Sequence, residues 1–288
     1  MTPTINPNET NPRIAPQTIK LDARSKQLRR TIIDTFAAGK RGHVASAFSL
    51  VEILRVLYDD VLNINPKQPR AEDRDRCILS KGHGCIALYA ILADKGFFPK
   101  EELNHFCKPE GILGGHPEYG KVPGVEASTG SLGHGLPIGI GFALRARMDK
   151  LPFRTYVVMG DGECGEGSVW EAALSAGKHK LSNLTVIVDY NRLMSYGSTD
   201  DVTGLEPFLD KWRSFGFAAV DVNGHDIEQL RSVLKNGPLD SNKPTAILCH
   251  TIKGKGVSFT ENNLSWHHKT GVTEEELKNL YAELGNNS

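Results

Sequence analysis

The feature that most restricts the fold is a regular alternation of short apolar runs with single helical patterns. Cys77–Ser80 gives way to Gly82-His83-Gly84 and a helical pattern reaching Asp94, and Tyr156–Met159 ends on Gly160-Asp161-Gly162 before a helical pattern to Lys178. Leu184–Asp189, Phe217–Val222 and Thr245–Cys249 are further runs of the same kind. Each is too short for a helix and rich in Val, Ile or Leu, as buried strands are. Strands separated by one crossover helix pair in parallel, so the expected fold is α/β: a doubly wound, mostly parallel sheet flanked by helices. No low-complexity linker divides the chain, so residues 21–288 read as a single domain. Residues 1–20, rich in Pro, Asn and Thr, read as a flexible or draped N-terminal tail.

The helices carry their own punctuation. Leu21, Leu28, Ile32, Ile33 and Phe36 recur at helical spacing, and Gly39 suits the C-cap. Ser49–Glu52 and Ser168–Glu171 both have the spacing of a capping box, as does Thr273–Glu276 near the C-terminus. Pro137 suits the first turn of a helix to Met148, and further helices are expected over Pro207–Phe215 and Asp226–Lys235. The Gly- and Pro-rich stretch from Pro109 to Gly135 is too long for an ordinary connection, which points to function.

Charge and cysteine usage narrow the class. Thirty-four Lys+Arg balance 34 Asp+Glu, which argues against a nucleic acid or anionic membrane held by bulk charge. No apolar run approaches the ~18 residues of a membrane span, and the N-terminus lacks the apolar stretch of a secretory signal. Cys77, Cys85, Cys107, Cys164 and Cys249 form no CxxC pair, so reduced thiols in a cytoplasmic protein are expected, not disulfides or a cysteine–zinc site. The charge run Arg70–Arg76 reads as a solvated, partly paired turn. Trp170, Trp212, Phe97, Phe98, Met159 and Met194 read as packing residues.

In sheets of this kind ligands bind beyond the carboxyl ends of the strands. Asp161 stands at that edge of one strand and Asn191 at that edge of the next, with 28 residues between Gly162 and Asn191, enough for one crossover. A carboxylate and a carboxamide are hard oxygen ligands; with a backbone carbonyl and diphosphate oxygens they suit Mg²⁺ or Ca²⁺. Gly160 and Gly162 allow a phosphate to approach the backbone closely. Of the ten histidines, His43, His83, His116 and His134 follow glycines in loop-like sequence, unlike core residues, whereas His105, His179, His225 and His250 read as ordinary surface or core histidines. The absence of HExxH and the wide spacing of the glycine-flanked histidines disfavour zinc.

These pieces together resemble the N-terminal, diphosphate-binding half of the transketolase family, from about Gly42 to His267. They run in family order: GHVAS at 42–46, DRxxLSKGH ending at His83, GHPE at 115–118, STGSLGHG at 128–135, GDGExxEG at 160–167, DxNRL at 189–193, IKGKG at 252–256 and WH at 266–267. The resemblance implies a thiamine-diphosphate-binding fold, thiamine diphosphate with Mg²⁺ (or Ca²⁺), and transfer of a two-carbon ketol unit from a ketose (phosphate) donor to an aldose acceptor. It makes Asp161, Asn191 and the Leu193 carbonyl metal ligands, with Gly162 and Glu163 against the diphosphate. It places His83, His267, Ser46, Lys81 and Lys253 in the cofactor's phosphate region, and Ser131, Leu132 and Gly133 at the aminopyrimidine. His43 and His116, with His267, match active-site histidines that touch the donor and move protons; Glu166, with Glu171, matches glutamates at a subunit interface that link paired active sites.

The glutamate that activates the aminopyrimidine lies, in this family, in a second domain beyond the one matched here, and full-length members are about twice as long. The resemblance therefore implies a split enzyme. This chain would be its N-terminal, diphosphate-binding subunit, its partner a separate C-terminal-type, pyrimidine-binding subunit, and the assembly an α2β2 heterotetramer. Val44, His134, His268 and Thr270-Gly271 depart from the usual family residues and border the pocket, which leaves the sugar open. The alternatives are a deoxyxylulose-phosphate-synthase-like or 2-oxo-acid-dehydrogenase-like subunit, or a non-catalytic cofactor-binding protein.

Overall fold

The computed structural model describes residues 14–269 and 271–285. In chain order its regular elements begin with α1 (Ala23–Gly39), α2 (Val44–Phe48), α3 (Val51–Val56), β1 (Arg76–Leu79), α4 (Cys85–Asp94), α5 (Gly135–Met148), β2 (Thr155–Gly160) and α6 (Gly167–Lys178). They continue with β3 (Leu184–Tyr190), β4 (Leu193–Met194), β5 (Gly197–Ser198), α7 (Thr199–Val202), α8 (Phe208–Ser214), β6 (Ala218–Asn223), α9 (Ile227–Leu234), β7 (Thr245–His250) and α10 (Glu274–Glu283).

Five strands form one sheet in the order β1-β2-β3-β7-β6, and every pairing is parallel. Successive strand residues point to opposite faces, and the sequence supplies apolar residues for both. Leu79, Tyr156, Val158, Ile187 and Ile247 join the core formed with α1, α3 and α4. Ile78, Val157, Met159, Val186, Val188 and Leu248 join the core under α5, α6 and α8, where Trp212 is fully buried against Trp170 and Phe217. Burial on both faces explains why these strands read as continuous apolar runs.

The structure corrects several local readings. The left-handed residue ending α1 is Lys40, not Gly39; Gly39 is instead required by packing, since a Cβ there would come 2.5 Å from the Phe106 ring. Neither Ser49 nor Ser168 is the N-cap of a helix; those positions fall to Leu50 and Glu166. Ser49 Oγ donates to Asp189 Oδ2 at 2.6 Å, Glu52 pairs with Arg29, and Ser168 Oγ donates to the Gly133 carbonyl. Tertiary partners have taken the groups that local sequence offered to helix ends. The third box, Thr273 with Glu276, is formed in full.

The charge run also differs from a solvated turn. Asp75 and Arg76 are buried, Arg76 opens β1, and both Arg74 and Arg76 reach the buried Glu126. The hairpin β4–β5, unforeseen in the sequence, projects from the site edge with Tyr196 exposed at its tip. Residues 1–13 of the expected tail and Thr270 lie outside the described residues; within the tail, the Pro16 carbonyl accepts from Lys255.

Candidate active site

Parallel register brings four strand ends to one edge. Gly160 on β2 lies opposite Asp189 on β3, which lies opposite Cys249 on β7, so the residues beyond them, Asp161, Asn191 and Thr251–Lys253, converge. Ser80 and Lys81 follow β1 at the same edge, Ser80 N–H donating to the Val158 carbonyl. A cavity of about 190 Å³ opens there, lined by His43, Lys81, His83, His116, Asp161, Glu163, Asn191, Lys253 and His267, with Gly130, Leu132, Gly160, Gly162, Leu193, Met194 and Ser195.

The three oxygen donors read from the sequence line this cavity together. Asp161 Oδ1 accepts from the Gly162 N–H at 2.8 Å and Oδ2 from the Arg192 N–H at 2.5 Å, while Asn191 Oδ1 accepts from the Leu193 N–H at 3.1 Å. The Leu193 carbonyl accepts from Lys253 Nζ at 3.1 Å. Burial, and then the nearby Asp189 carboxylate, push Asp161 up to about 6. A divalent cation would offset that penalty directly. Among the described residues no three His, Cys, Asp or Glu side chains form a metal cluster. A set of one carboxylate, one carboxamide and one carbonyl suits a hard cation sharing its shell with phosphate.

The cavity also fits the phosphates. His267 Nδ1 is buried there with no hydrogen-bond partner, while its Nε2 lies 3.1 Å from Ser195 Oγ, so one ring nitrogen is left for a ligand. Gly162 faces the wall, where a Cβ would meet Met194 at 3.0 Å. Burial, followed by Lys81, lowers Lys253 to about 7.

The histidines sit in one group. The His43 ring lies 5.2 Å from His83, 6.0 Å from His267 and 4.6 Å from His268, centroid to centroid. Burial first, then repulsion from His268 and His116, lowers His43 to about 4. Burial and Lys253 lower His267 to about 3, and burial also lowers His83 and His116. At neutral pH these imidazoles are uncharged, the form in which a ring nitrogen can take a proton from a substrate hydroxyl.

Not every residue singled out in the sequence lines the cavity. Ser46 is fully buried on α2 with its hydroxyl unpaired, and it lies outside the lining, as does the exposed Ser131. Gly133, with φ +82°, donates its N–H to Glu163 Oε1 at 2.8 Å. A Cβ on Gly133 would come 2.5 Å from Ser168 Oγ, so this turn demands glycine. Glu163 also accepts from Ser80 Oγ and from the Gly160 N–H, and so ties the ends of β1 and β2 to the Gly130–Gly133 loop. Glu166 and Glu171 are exposed at the start of α6, outside the cavity. His225 is a satisfied core residue, its Nδ1 2.8 Å from Glu52 and its Nε2 accepting from the Ile252 N–H.

The sequence reading gave no site role to Asp189 or Ser195, and Met194, read as a packing residue, lines the cavity. Lys81 Nζ, Ser49 Oγ and Thr251 Oγ1 all converge on Asp189. Burial raises the Asp189 carboxyl, but Lys81 and these hydrogen bonds hold it below the usual range. A carboxylate as the last residue of an apolar run was the available signal.

Parallel strand ends carrying hard oxygen donors, beside a group of neutral imidazoles, define a diphosphate-binding α/β protein. The chain belongs to the transketolase family: residues 22–288 match its profile "Transketolase, thiamine diphosphate binding domain". It is similar to an apulose-4-phosphate transketolase subunit of Phocaeicola vulgatus, 40% identical over 88% of this chain and 90% of that one. It is likewise 40% identical to a 6-deoxy-6-sulfo-D-fructose transketolase subunit of Clostridium sp., over 93% of this chain and 97% of that one. The human transketolase is 35% identical over 90% of this chain, which spans only 42% of the human protein. The transketolase structure from Campylobacter jejuni superposes with a TM-score of 0.84 at 30% identity, covering 91% of this chain and 42% of that one.

Proposed function

We propose that this chain is the diphosphate-binding subunit of a two-chain transketolase, transferring a two-carbon ketol unit from a ketose to an aldose with thiamine diphosphate and Mg²⁺ (or Ca²⁺). Asp161, Asn191 and the Leu193 carbonyl would hold the cation; His83, His267, Lys253 and the Gly162 backbone would face the diphosphate. Leu132 and Gly133 would carry the aminopyrimidine on a loop fixed by Glu163. The bound cofactor supplies the electron sink that carbon–carbon cleavage demands and side chains lack. His43 and His116, held uncharged, take protons from the donor's hydroxyls and return them.

The observation that carries the two-chain reading is the fate of the carboxylates. Among the described residues two line the cavity, and both are committed: Asp161 to two backbone N–H groups and the cation position, Glu163 to Ser80, Gly133 and Gly160. Among the described residues no further carboxylate reaches the cavity to protonate an aminopyrimidine, so that acid belongs to a pyrimidine-binding partner. The relatives named as transketolase subunits, matched over nearly their whole length, support this. The exposed apolar Met148 on α5 and Leu174 on α6, helices that pack together beside Glu166 and Glu171, offer an interface for assembly as an α2β2 heterotetramer.

Two features bear on substrate and compartment. The relatives' names pair ketol transfer with a phosphorylated and a sulfonated sugar, which supports an anionic sugar as substrate. No helix among the described residues is long and apolar enough to cross a membrane, and the five unpaired cysteines suit the cytoplasm. Co-purification of the partner, followed by a ketol-transfer assay of the pair, tests the proposal. Cofactor binding by the pair without turnover on any ketose phosphate would overturn it.

A further inference from the structure

We propose that His268 is a substrate-recognition residue that binds the anionic end of the sugar at the mouth of the site; this rests on the ketol-transfer reading above. Its position is fixed by the backbone. Gly42 N–H donates to the Lys269 carbonyl at 2.9 Å and Lys269 N–H returns a bond to the Gly42 carbonyl at 3.1 Å, an isolated antiparallel bridge. Gly42 has φ +140°, and a Cβ there would come 2.8 Å from Ile86 Cδ1, so glycine is needed on this side of the bridge. On the other side Lys269 Nζ pairs with Glu276 Oε1 at 2.6 Å and sits 4.7 Å over the Trp266 ring. The neighbours of the bridged residues, His43 and His268, are thereby set side by side with ring planes 32° apart.

The two rings have different outlooks. An open outer chamber of about 480 Å³ is lined by His43, Ser195, Leu264, Ser265, His267 and His268. His43, Ser195 and His267 also line the cofactor cavity, so the two spaces adjoin, whereas His268 lines only the outer chamber. A substrate reacting beside His43 and His267 and reaching into this chamber extends its far end past His268. Among the described residues no carboxylate lines the chamber; its polar groups are imidazoles and hydroxyls. Such a lining gives an anion hydrogen-bond donors without competing negative charge. His268 is exposed, and among the described residues its ring makes no hydrogen bond that would have to be broken.

Two measurements test this. In the full chain, ribose 5-phosphate or a sugar sulfonate, titrated separately, should shift the His268 imidazole NMR signal, assigned by its loss in His268→Gln, while ribose at equal concentration should not. A response to either anion supports the proposal; no response, or an equal response to ribose, overturns it whether or not the chain proves to be part of a transketolase. In the complex with the partner, His268→Gly should lower kcat/KM for xylulose 5-phosphate about tenfold, the scale of ~1.4 kcal/mol for one charge-assisted contact. For uncharged erythrulose it should change by less than about twofold, and His268→Lys should restore the preference. An equal loss on both ketoses overturns the assignment, whereas a wild-type pair inactive on both overturns the ketol-transfer reading instead.

Discussion

Lys81 Nζ lies 2.5 Å from Asp189 Oδ2 with both side chains sealed from solvent, so an ion pair joins the ends of β1 and β3 across β2. It lies directly behind the paired oxygen donors, and Asn191 Nδ2 also reaches the same Asp189 oxygen. Removing one member of such a pair strands the other charge in the interior. Lys81→Met should therefore destabilise the chain by about 3–5 kcal/mol in chemical denaturation. The double variant Lys81→Met with Asp189→Asn should recover part of that loss. A single-variant effect below about 1 kcal/mol would contradict a structural role for the pair.

Asp161→Ala should abolish Mg²⁺-dependent binding of thiamine diphosphate, because no neighbouring carboxylate is free to replace that ligand. Calorimetry of the reconstituted complex decides it, and an unchanged affinity would refute the metal assignment.

His116→Ala should behave differently. The ring lines the cavity but packs against Gly130, with its Cδ2 3.3 Å from where a Cβ on that glycine would stand. Cofactor affinity should be retained while turnover falls by about 10²–10⁴, the usual scale for a proton-transferring group. Lost affinity with intact turnover would reverse the role.

Much of this arrangement is legible in the sequence because the strands are buried on both faces and the donors sit at their ends. The β-branched runs locate β2, β3 and β7 to within a residue, and parallel register alone then brings Asp161 and Asn191 to the same sheet edge. What was illegible depends on long-range partners. Glu163 meets Ser80 from 83 residues away, and Lys81 meets Asp189 across 108. The same competition undid the capping boxes at Ser49 and Ser168, whose hydroxyls found Asp189 and Gly133. The β4–β5 hairpin, two residues a side, is too short to show any periodicity.

Acid should weaken the cofactor-free chain. Burial first holds His43, His83, His225 and His267 below their ordinary range. Between those folded values and about 6.5 the unfolded chain binds more protons, so stability falls as pH drops through that window. Each such imidazole removes up to ~1.4 kcal/mol per pH unit there. Asp161, pushed up to about 6, acts in the opposite direction, as do the Glu163 and Glu126 carboxyls that burial raises, three groups against the four imidazoles. The thermal midpoint should thus be lower at pH 5 than at pH 7; an equal or higher midpoint at pH 5 would contradict the buried, neutral state of these rings.

The central claim is that this chain holds half of an active site. The most direct measurement is ketol-transfer rate at fixed total protein while the fraction of this chain, mixed with its pyrimidine-binding partner, varies from none to all. The account predicts a maximum at equimolar mixing and no transfer at either end. Full activity of this chain by itself would contradict it.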